Sequence, residues 1–377
     1  MGVPRKSNKK INIEMKKLFF IATIAGAALV GCTKNELAPS ATDQHEITFA
    51  SPIVGTTTKA SNEPQYGLLK GNYPTGVSFG VWGWYTETAS YDPTTAVAYM
   101  TNVEVAYNDA NHNSQETENG AWKPTTPYYW PKNGKLTFDA YSPIELTGVS
   151  CDKATGLTIK DYAVPTMLAN QIDVLYSTRA CDKTNASYTN GTTYEGVDIA
   201  FNHALSAVAF TIKAADNDYP EGTIKLQSIT VTADSKGTFT QNIGSTPAWK
   251  VEKSGANYVI WEAANYDNSL EVEYEAKTAG QTSIVLPQEF KSSEAVITVK
   301  YYIKNGKENP LLQTAIFKLY VSDNQSGKEG DAAVTVDKWE MGKIYTYNLT
   351  IGLQGIYFAP TIDNWDNVSV DLPQINN

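Results

Sequence analysis

Short runs in which hydrophobic and polar residues alternate recur along the chain. A period of two is typical of β-strands with one buried face. The clearest runs cover residues 197–201, 224–226, 297–303, 315–321 and 345–351. No long window combines the helical period of 3.6 with capping residues. This pattern predicts an all-β protein built from antiparallel β-sandwiches.

Turn-forming sequences separate these runs. Asn133-Gly134 and Asn305-Gly306 each provide the positive φ angles of a tight hairpin turn. The polar stretch 214–222 contains Pro and Gly and divides two strand-rich blocks. We therefore expect an N-terminal sandwich domain at residues 45–214 and a C-terminal one at 215–377.

The N-terminal residues have the pattern of an export signal. Two lysines follow Met15, and the apolar stretch 18–30 has the length of a signal-peptide core, which is short for a membrane span. It ends at a small residue before Cys32, which resembles a bacterial lipobox. We expect translation to start at Met15, residues 1–31 to be the signal peptide, Cys32 to be lipidated, and residues 32–44 to form a tether. A plain secretory signal with an incidental cysteine is the alternative.

Composition and charge narrow the possible partners. The chain has 19% charged and 11% aromatic residues, which is unlike a disordered protein. Its net charge is −10, so we expect no nucleic-acid partner. Residues 1–31 carry six basic residues and one acidic residue, so the chain from Cys32 onward carries −15. An acidic body is not attracted to anionic lipid, so acyl chains must hold it at the membrane.

The few cysteines and histidines argue against a metal protein of the zinc-finger type. Once Cys32 is assigned to the lipid, Cys151 and Cys181 remain. In an exported protein these two can form a disulfide, and two free, buried thiols are the alternative. Nothing near either cysteine predicts a reactive thiolate.

Catalytic motifs are missing from the sequence. It contains no G-x-S-x-G elbow, no H-E-x-x-H pair and no phosphate-binding loop. Glu271 and Glu273 could in principle serve a glycosidase, but carboxylates at alternate strand positions are usual on a solvated face. His203, at a predicted strand end, is best interpreted as a hydrogen-bonded structural residue. We therefore expect neither an enzyme nor a bound cofactor or metal ion.

Tryptophans leave a second class of function open. Trp82 and Trp84 lie two residues apart, so both face one side of a predicted strand. If exposed, they or Trp130 could stack on sugar rings. Their apolar neighbours favour a place in the hydrophobic core.

Eight segments, read in order, resemble a known family. They are WKP at 122–124, YYWP at 128–131, LTFDAYSP at 136–143, QIDVLY at 171–176, FNHALS at 201–206, LPQ at 286–288, WEMGKIYTY at 339–347 and IDNW at 362–365. Their shared order behind a lipobox resembles the fimbrillin family of Bacteroidetes pilins. Lys34 before Glu36 is similar to the surface-export signal of Bacteroidetes lipoproteins, although Asn35 stands where that signal prefers an acid.

The resemblance implies two transthyretin-like antiparallel β-sandwich domains in tandem. It also implies a surface-exposed lipoprotein of the outer membrane that becomes part of a fimbrium. Its partners would be other pilin subunits, and host or bacterial surface glycans or proteins. Such pilins lose an N-terminal strand to a trypsin-like protease, and a C-terminal strand from the next subunit fills the groove.

Specific residues follow from this resemblance. The alternation at residues 46–49 independently predicts a short strand, and the resemblance makes the bond between Lys59 and Ala60 the predicted cleavage site. An uncut loop is the alternative there. The alternating residues Val368, Val370 and Leu372 are the predicted donor strand, or else the last strand of their own domain.

Three functions therefore remain in order of preference. The first is a structural subunit or a tip or accessory adhesin of a fimbria. The second is a surface glycan-binding lipoprotein of a nutrient-uptake system. The third is an enzyme such as a glycosidase.

Overall fold

The structure is a computed structural model. It describes residues 45–55, 71–87, 90–108, 122–185, 189–190, 193–194, 196–221, 223–290, 295–319, 336–353 and 355–365. The chain divides into two compact units, Met1–Glu36 and Leu37–Asn377. All described residues belong to the second unit.

Strands account for most of the described residues. In the first half of the chain they are β1 (Ile53–Val54), β2 (Gly71–Asn72), β3 (Phe79–Thr86), β4 (Val97–Tyr107), β5 (Trp122–Pro124), β6 (Lys135–Ser142), β7 (Val149–Asp152), β8 (Gly156–Ala163), β9 (Leu175–Ser177), β10 (Ala180–Lys183), β11 (Thr189–Asn190), β12 (Thr193–Tyr194) and β13 (Ala200–His203). They continue as β14 (Ser206–Ala214), β15 (Ile224–Ala233), β16 (Lys236–Thr240), β17 (Ala248–Glu252), β18 (Ala256–Glu262), β19 (Leu270–Glu271), β20 (Lys277–Thr278), β21 (Ser283–Val285), β22 (Gln288–Glu289), β23 (Val296–Ile303), β24 (Leu311–Lys318), β25 (Lys338–Trp339), β26 (Lys343–Gly352) and β27 (Gly355–Asn364). A 3-10 turn covers Leu168–Asn170.

The largest sheet is formed by strands from the first half of the chain. Its order is β2-β1-β13-β9-β6-β3-β4-β5, and β10 also pairs with β6. Strands β3 and β6 lie in its centre and are buried on both faces. Leu136 and Phe138 of β6 belong to one hydrophobic cluster, whereas Tyr141 belongs to a second cluster with Trp82 and Trp84.

Two further sheets contribute to one hydrophobic core. The first has the order β20-β14-β26-β27, with β21 also on β14, and the second has the order β18-β15-β23-β24, with β19 also on β15. Phe210 of β14, Val231 of β15, Val299 of β23 and Tyr347 of β26 all lie in this core. The alternating buried positions along β14 and β15 explain why these sequences form strands with one face inside.

The remaining sheets are smaller. One has the order β17-β16-β8-β7, and the pairs β11-β12 and β22-β25 stand alone. The all-β prediction is confirmed, and most pairs are antiparallel. Two described pairs, β1 with β13 and β14 with β26, are parallel instead.

Two strands that precede the expected domain boundary after residue 214 pair with strands that follow it. Strand β14 pairs with β26 from Ala207 to Ala214, so it joins the C-terminal strands. Strand β8 likewise pairs with β16 from the other side of that boundary. The polar stretch 214–222 is the connection between β14 and β15, and a parallel partner far along the chain leaves no local signal in the sequence.

Candidate strand-exchange site

The N-terminal segment, defined here as residues 45–55, pairs on both of its sides. Phe49 forms an antiparallel bridge to Trp122 on one side and a parallel bridge to Val197 on the other. Strand β1 then continues beside β13 in parallel and beside β2 in antiparallel pairing. The segment therefore lies between two stretches of backbone of the first sheet. We call residues 122–130 the first wall and residues 196–201 the second wall.

Backbone hydrogen bonds hold the N-terminal segment along both walls. On the first wall, the N–H groups of Ile47 and Phe49 donate to the carbonyls of Tyr128 (2.7 Å) and Trp122 (2.8 Å), and Trp130 N–H donates to His45 (3.0 Å). On the second wall, the N–H of Ala50 donates to the carbonyl of Val197 (2.9 Å), and the N–H of Val197 donates to the carbonyl of Thr48 (2.8 Å). Further along, the N–H groups of Ile53 and Gly55 donate to the carbonyls of Ile199 (3.2 Å) and Phe201 (2.9 Å). Removal of the segment would leave both walls with unpaired backbone groups, which is costly unless another strand replaces them.

The side chains of this segment belong to the core. Ile47, Phe49 and Val54 are each 0% exposed. The ring of Phe49 packs edge-on against Phe79 and Phe138, with centroid distances of 5.8 and 5.6 Å. Burying such a side chain contributes about 1.5–3 kcal/mol. Loss of the segment would thus open a groove with apolar sites at alternate positions.

A glycine lets the second wall approach closely. Gly196 has a φ of +78°, and a Cβ placed on it would lie 2.6 Å from the carbonyl carbon of Phe49 and 2.7 Å from the nitrogen of Ala50. Both contacts are to backbone, which cannot rotate away. The wall can therefore pair with a strand in this position only because residue 196 has no side chain.

The predicted processing, lipidation and donor residues cannot be placed relative to this groove. Cys32, Lys59, Ala60, Val368, Val370 and Leu372 all lie outside the described residues. Their roles stay predictions.

Three of the segments that carry the family resemblance meet at His203. The Nδ1 atom of His203 lies 2.8 Å from Oδ2 of Asp173, and its ring stacks on Trp365 at a centroid distance of 4.3 Å. All three side chains are buried. His203 is thus held as a structural residue, and the junction fixes the point from which the chain continues towards its C-terminus.

Gln171 makes a link that the sequence did not reveal. Its side-chain oxygen accepts from the N–H of Ile284 at 2.7 Å, and its side-chain nitrogen donates to the carbonyl of Ile284 at 3.0 Å. This amide replaces a backbone partner for β21 across a sequence separation of 113 residues. Gln171 opens one of the segments of the resemblance, but only the tertiary structure shows its partner.

The tryptophans proposed as a sugar platform are buried. Trp82, Trp84 and Trp130 are 5%, 7% and 4% exposed. Nε1 of Trp84 donates to Oδ2 of Asp139 at 2.9 Å, and Trp82 packs on Tyr141. The interpretation of these residues as a sugar platform is therefore wrong. Trp82 and Trp84 lie on β3, in the centre of a sheet that is covered on both faces, and Trp130 packs edge-on against Phe138.

Cys151 and Cys181 are both free thiols in the structure, so they do not form the disulfide that was one of the two alternatives. The Cys151 thiol lies 3.6 Å from Asp139, which forms a buried ion pair with Arg179 at 2.9 Å. Burial and, after it, the Asp139 charge raise the pKa of Cys151 far above its ordinary value. Burial also raises the pKa of Cys181. Neither thiol is activated as a nucleophile.

The carboxylates considered for glycosidase chemistry each lie beside a lysine. Glu271 is 3.8 Å from Lys225, and Glu273 is 2.8 Å from Lys277. Among the described residues, no group of three or more His, Cys, Asp or Glu side chains is arranged to bind a metal ion. The same part of the chain contains no helix of sufficient length and hydrophobicity to cross a membrane.

The sequence and the structure were compared with those of known proteins. A family model described as fimbrillin-like matches residues 58–365. No curated protein sequence matches the chain.

Several solved structures are similar to the chain at low sequence identity. A fimbrial protein from Bacteroides vulgatus has a TM-score of 0.57 and 16% identity, over 84% of this chain and 99% of that one. A proposed cell adhesion protein from Bacteroides uniformis has a TM-score of 0.48 and 14% identity, over 85% and 98%. A fimbrilin from Porphyromonas gingivalis has a TM-score of 0.41 and 12% identity, over 85% and 98%. The first of these shares the fold, and the family match covers most of the sequence, so this chain belongs to the fimbrillin-like family.

Proposed function

We propose that this protein is a structural subunit, or a tip or accessory adhesin, of a cell-surface fimbria, and that it assembles by strand exchange. Family membership supports the fimbrial role. The observation that carries the mechanism is the position of Phe49, which is fully buried and paired with both Trp122 and Val197. A strand held in this way can be replaced only by another strand.

An incoming strand would need two properties. Its backbone must satisfy the N–H and C=O groups of both walls, and apolar side chains at alternate positions must fill the sites of Ile47 and Phe49. Val368 and Val370 alternate with polar residues and have this spacing. The C-terminal tail of another subunit is therefore the proposed donor.

A single cut would free the whole groove. All of residues 45–55 lies on the N-terminal side of the predicted bond between Lys59 and Ala60. The sequence Thr56 to Lys59 is small and polar apart from the lysine, which suits a trypsin-like protease. Because Cys32 is also on the N-terminal side, the same cut would separate the subunit from its proposed lipid anchor.

Limited trypsin digestion tests this proposal. We use the full chain carrying Cys32→Ser, so that no acyl chain is attached. The expected result is a new N-terminus at Ala60, followed by SDS-resistant oligomers whose amount rises with protein concentration. The matched variant Lys59→Gln should remain uncut at this bond and monomeric on SDS gels. Clean cleavage at Ala60 without any such oligomer would contradict the mechanism.

The alternative of a glycan-binding lipoprotein loses its named sugar platform, because all three tryptophans are buried. The family also implies a subunit without enzymatic activity. We therefore retain fimbrial assembly, and we propose surface glycans or proteins as the adhesion ligands of the assembled fibre.

A further inference from the structure

Strand β24 is a long edge strand. It pairs with β23 along its whole length, from Leu311 opposite Ile303 to Lys318 opposite Val296. No other described strand pairs with its far side. An edge of this kind offers a row of backbone groups to an incoming strand.

The hydrogen-bond pattern shows which backbone groups face outward. Leu319 N–H donates to Ala295 at 3.0 Å, so the residues at odd positions of β24 point their backbone groups towards β23. Backbone groups alternate in direction along an antiparallel strand. Leu312, Thr314 and Ile316 therefore present their N–H and C=O groups on the open side.

The same residues carry exposed apolar side chains. Leu312 is 46% exposed and Ile316 is 65% exposed. Residues 311–317 contain no charged residue, no proline and no glycine. Two other described edge strands carry a proline, since β5 ends at Pro124 and β27 contains Pro360. The edge of β24 lacks the usual protection against strand addition.

We propose that β24 is a docking edge for the β24 strand of a second copy of this chain, joined antiparallel about Thr314. In this register the two Thr314 residues face each other, and Leu312 of each copy lies opposite Ile316 of the other. Each of these pairs can exchange both backbone hydrogen bonds. Threonine pairs and aliphatic pairs are favourable cross-strand neighbours.

Charge does not oppose this register. Lys318 is the one charged residue of β24, and in one copy it comes opposite Pro310 of the other, near the exposed Lys307 and Glu308. The strand carries no carboxylate, so β24 itself adds no negative charge to a contact between two acidic copies. This contact does not require cleavage, so it is separate from the proposed strand exchange.

Sedimentation velocity on the uncleaved full chain carrying Cys32→Ser tests the proposal. The wild-type edge should give a reversible dimer between low and several hundred micromolar protein. Thr314→Pro removes an outward N–H that β23 does not use, so folding should be kept and the dissociation constant should rise at least about tenfold. Ile316→Lys should act in the same direction, whereas Ile362→Lys, at an exposed isoleucine on β27, should leave the dimer unchanged.

A charge pair tests the register itself. Leu312→Glu combined with Ile316→Lys places opposite charges across the two strands and should restore the dimer. Leu312→Lys combined with Ile316→Lys should not restore it. A chain that stays monomeric throughout, or a dimer that tolerates Thr314→Pro, overturns the proposal. Loss of the dimer on deletion of residues 366–377 also overturns the proposal, because the C-terminal tail, and not a second β24, would then pair with the edge of β24.

Discussion

Single residues show how closely the N-terminal segment is enclosed. Gly196 approaches the peptide between Phe49 and Ala50, and in a separate environment the half-buried Cys151 lies beside Asp139. Neither environment could be derived from local sequence, because both partners come from elsewhere in the chain. His203 was predicted to be structural, but Asp173 and Trp365 became its neighbours only through the fold.

Gly196→Ala tests the close approach of the second wall. Any side chain at this positive φ costs about 1–2 kcal/mol, and the new Cβ would also clash with the backbone of Phe49. Gly306→Ala is the matched control, since Gly306 has a φ of +59° and no atom within 4 Å of a Cβ. In denaturant unfolding, Gly196→Ala should lose clearly more free energy than Gly306→Ala. Equal losses of unfolding free energy would mean that the backbone of Phe49 and Ala50 does not lie close to residue 196.

The raised pKa of Cys151 has a chemical consequence. A thiol whose pKa is raised in the folded state holds less thiolate at neutral pH, so alkylation should be slow. We expect iodoacetamide to modify the more exposed Cys181 first and the half-buried Cys151 much more slowly. Peptide mass spectrometry with time gives both rates. The same shift means that this thiol favours the folded state below about pH 8.5 and loses that contribution as pH rises. Labelling of Cys151 in the native protein as fast as that of Cys181 would contradict the raised pKa of Cys151.

Elements differ in how well the sequence predicts them. The alternation at 297–303 and 345–351 predicts β23 and β26, and β24 begins four residues before the expected run at 315–321. Residues 46–49 were expected to form a short strand, and they pair on both sides through bridges at Glu46 and Phe49. The partners were not predictable, because local periodicity determines that a strand forms but not which distant strand it joins.

Phe49→Ala tests whether the N-terminal segment is a removable element. In the uncleaved chain this change should cost roughly 3–5 kcal/mol, because Phe49 fills a core site between Phe79 and Phe138. In the trypsin-cleaved oligomer it should cost nothing, since residue 49 has left with the segment. Phe79→Ala is the control, because β3 remains and both forms should be destabilised. Denaturant unfolding of the two forms gives the comparison, and equal effects of Phe49→Ala on both would contradict strand removal.

The whole molecule combines an acidic body with a proposed lipid anchor. The chain from Cys32 onward carries a net charge of −15, so no general attraction to anionic membranes is expected. The family match and the all-β architecture could be anticipated from ordered sequence segments. The division of strands between sheets could not, because β14 and β8 join partners beyond the predicted domain boundary.

Cys32→Ser tests whether a lipid on Cys32 anchors the protein to the membrane. In cells fed labelled palmitate, the wild-type chain should carry the label and fractionate with the outer membrane. The variant should carry no label and leave that fraction at low and high salt alike, because acyl chains and not charge provide the attachment. Membrane retention of the unlabelled variant would show that Cys32 is not the anchor.

In the proposed fimbria, a strand from another copy takes the place of residues 45–55. A structure of the trypsin-cleaved oligomer tests this most directly. We predict that residues around Val368 to Leu372 of a neighbouring subunit lie between Trp122 and Val197, with apolar side chains in the sites of Ile47 and Phe49. If that gap is filled by the subunit's own residues 45–55 or by its own tail, or if the two walls have closed on each other, the claim is contradicted.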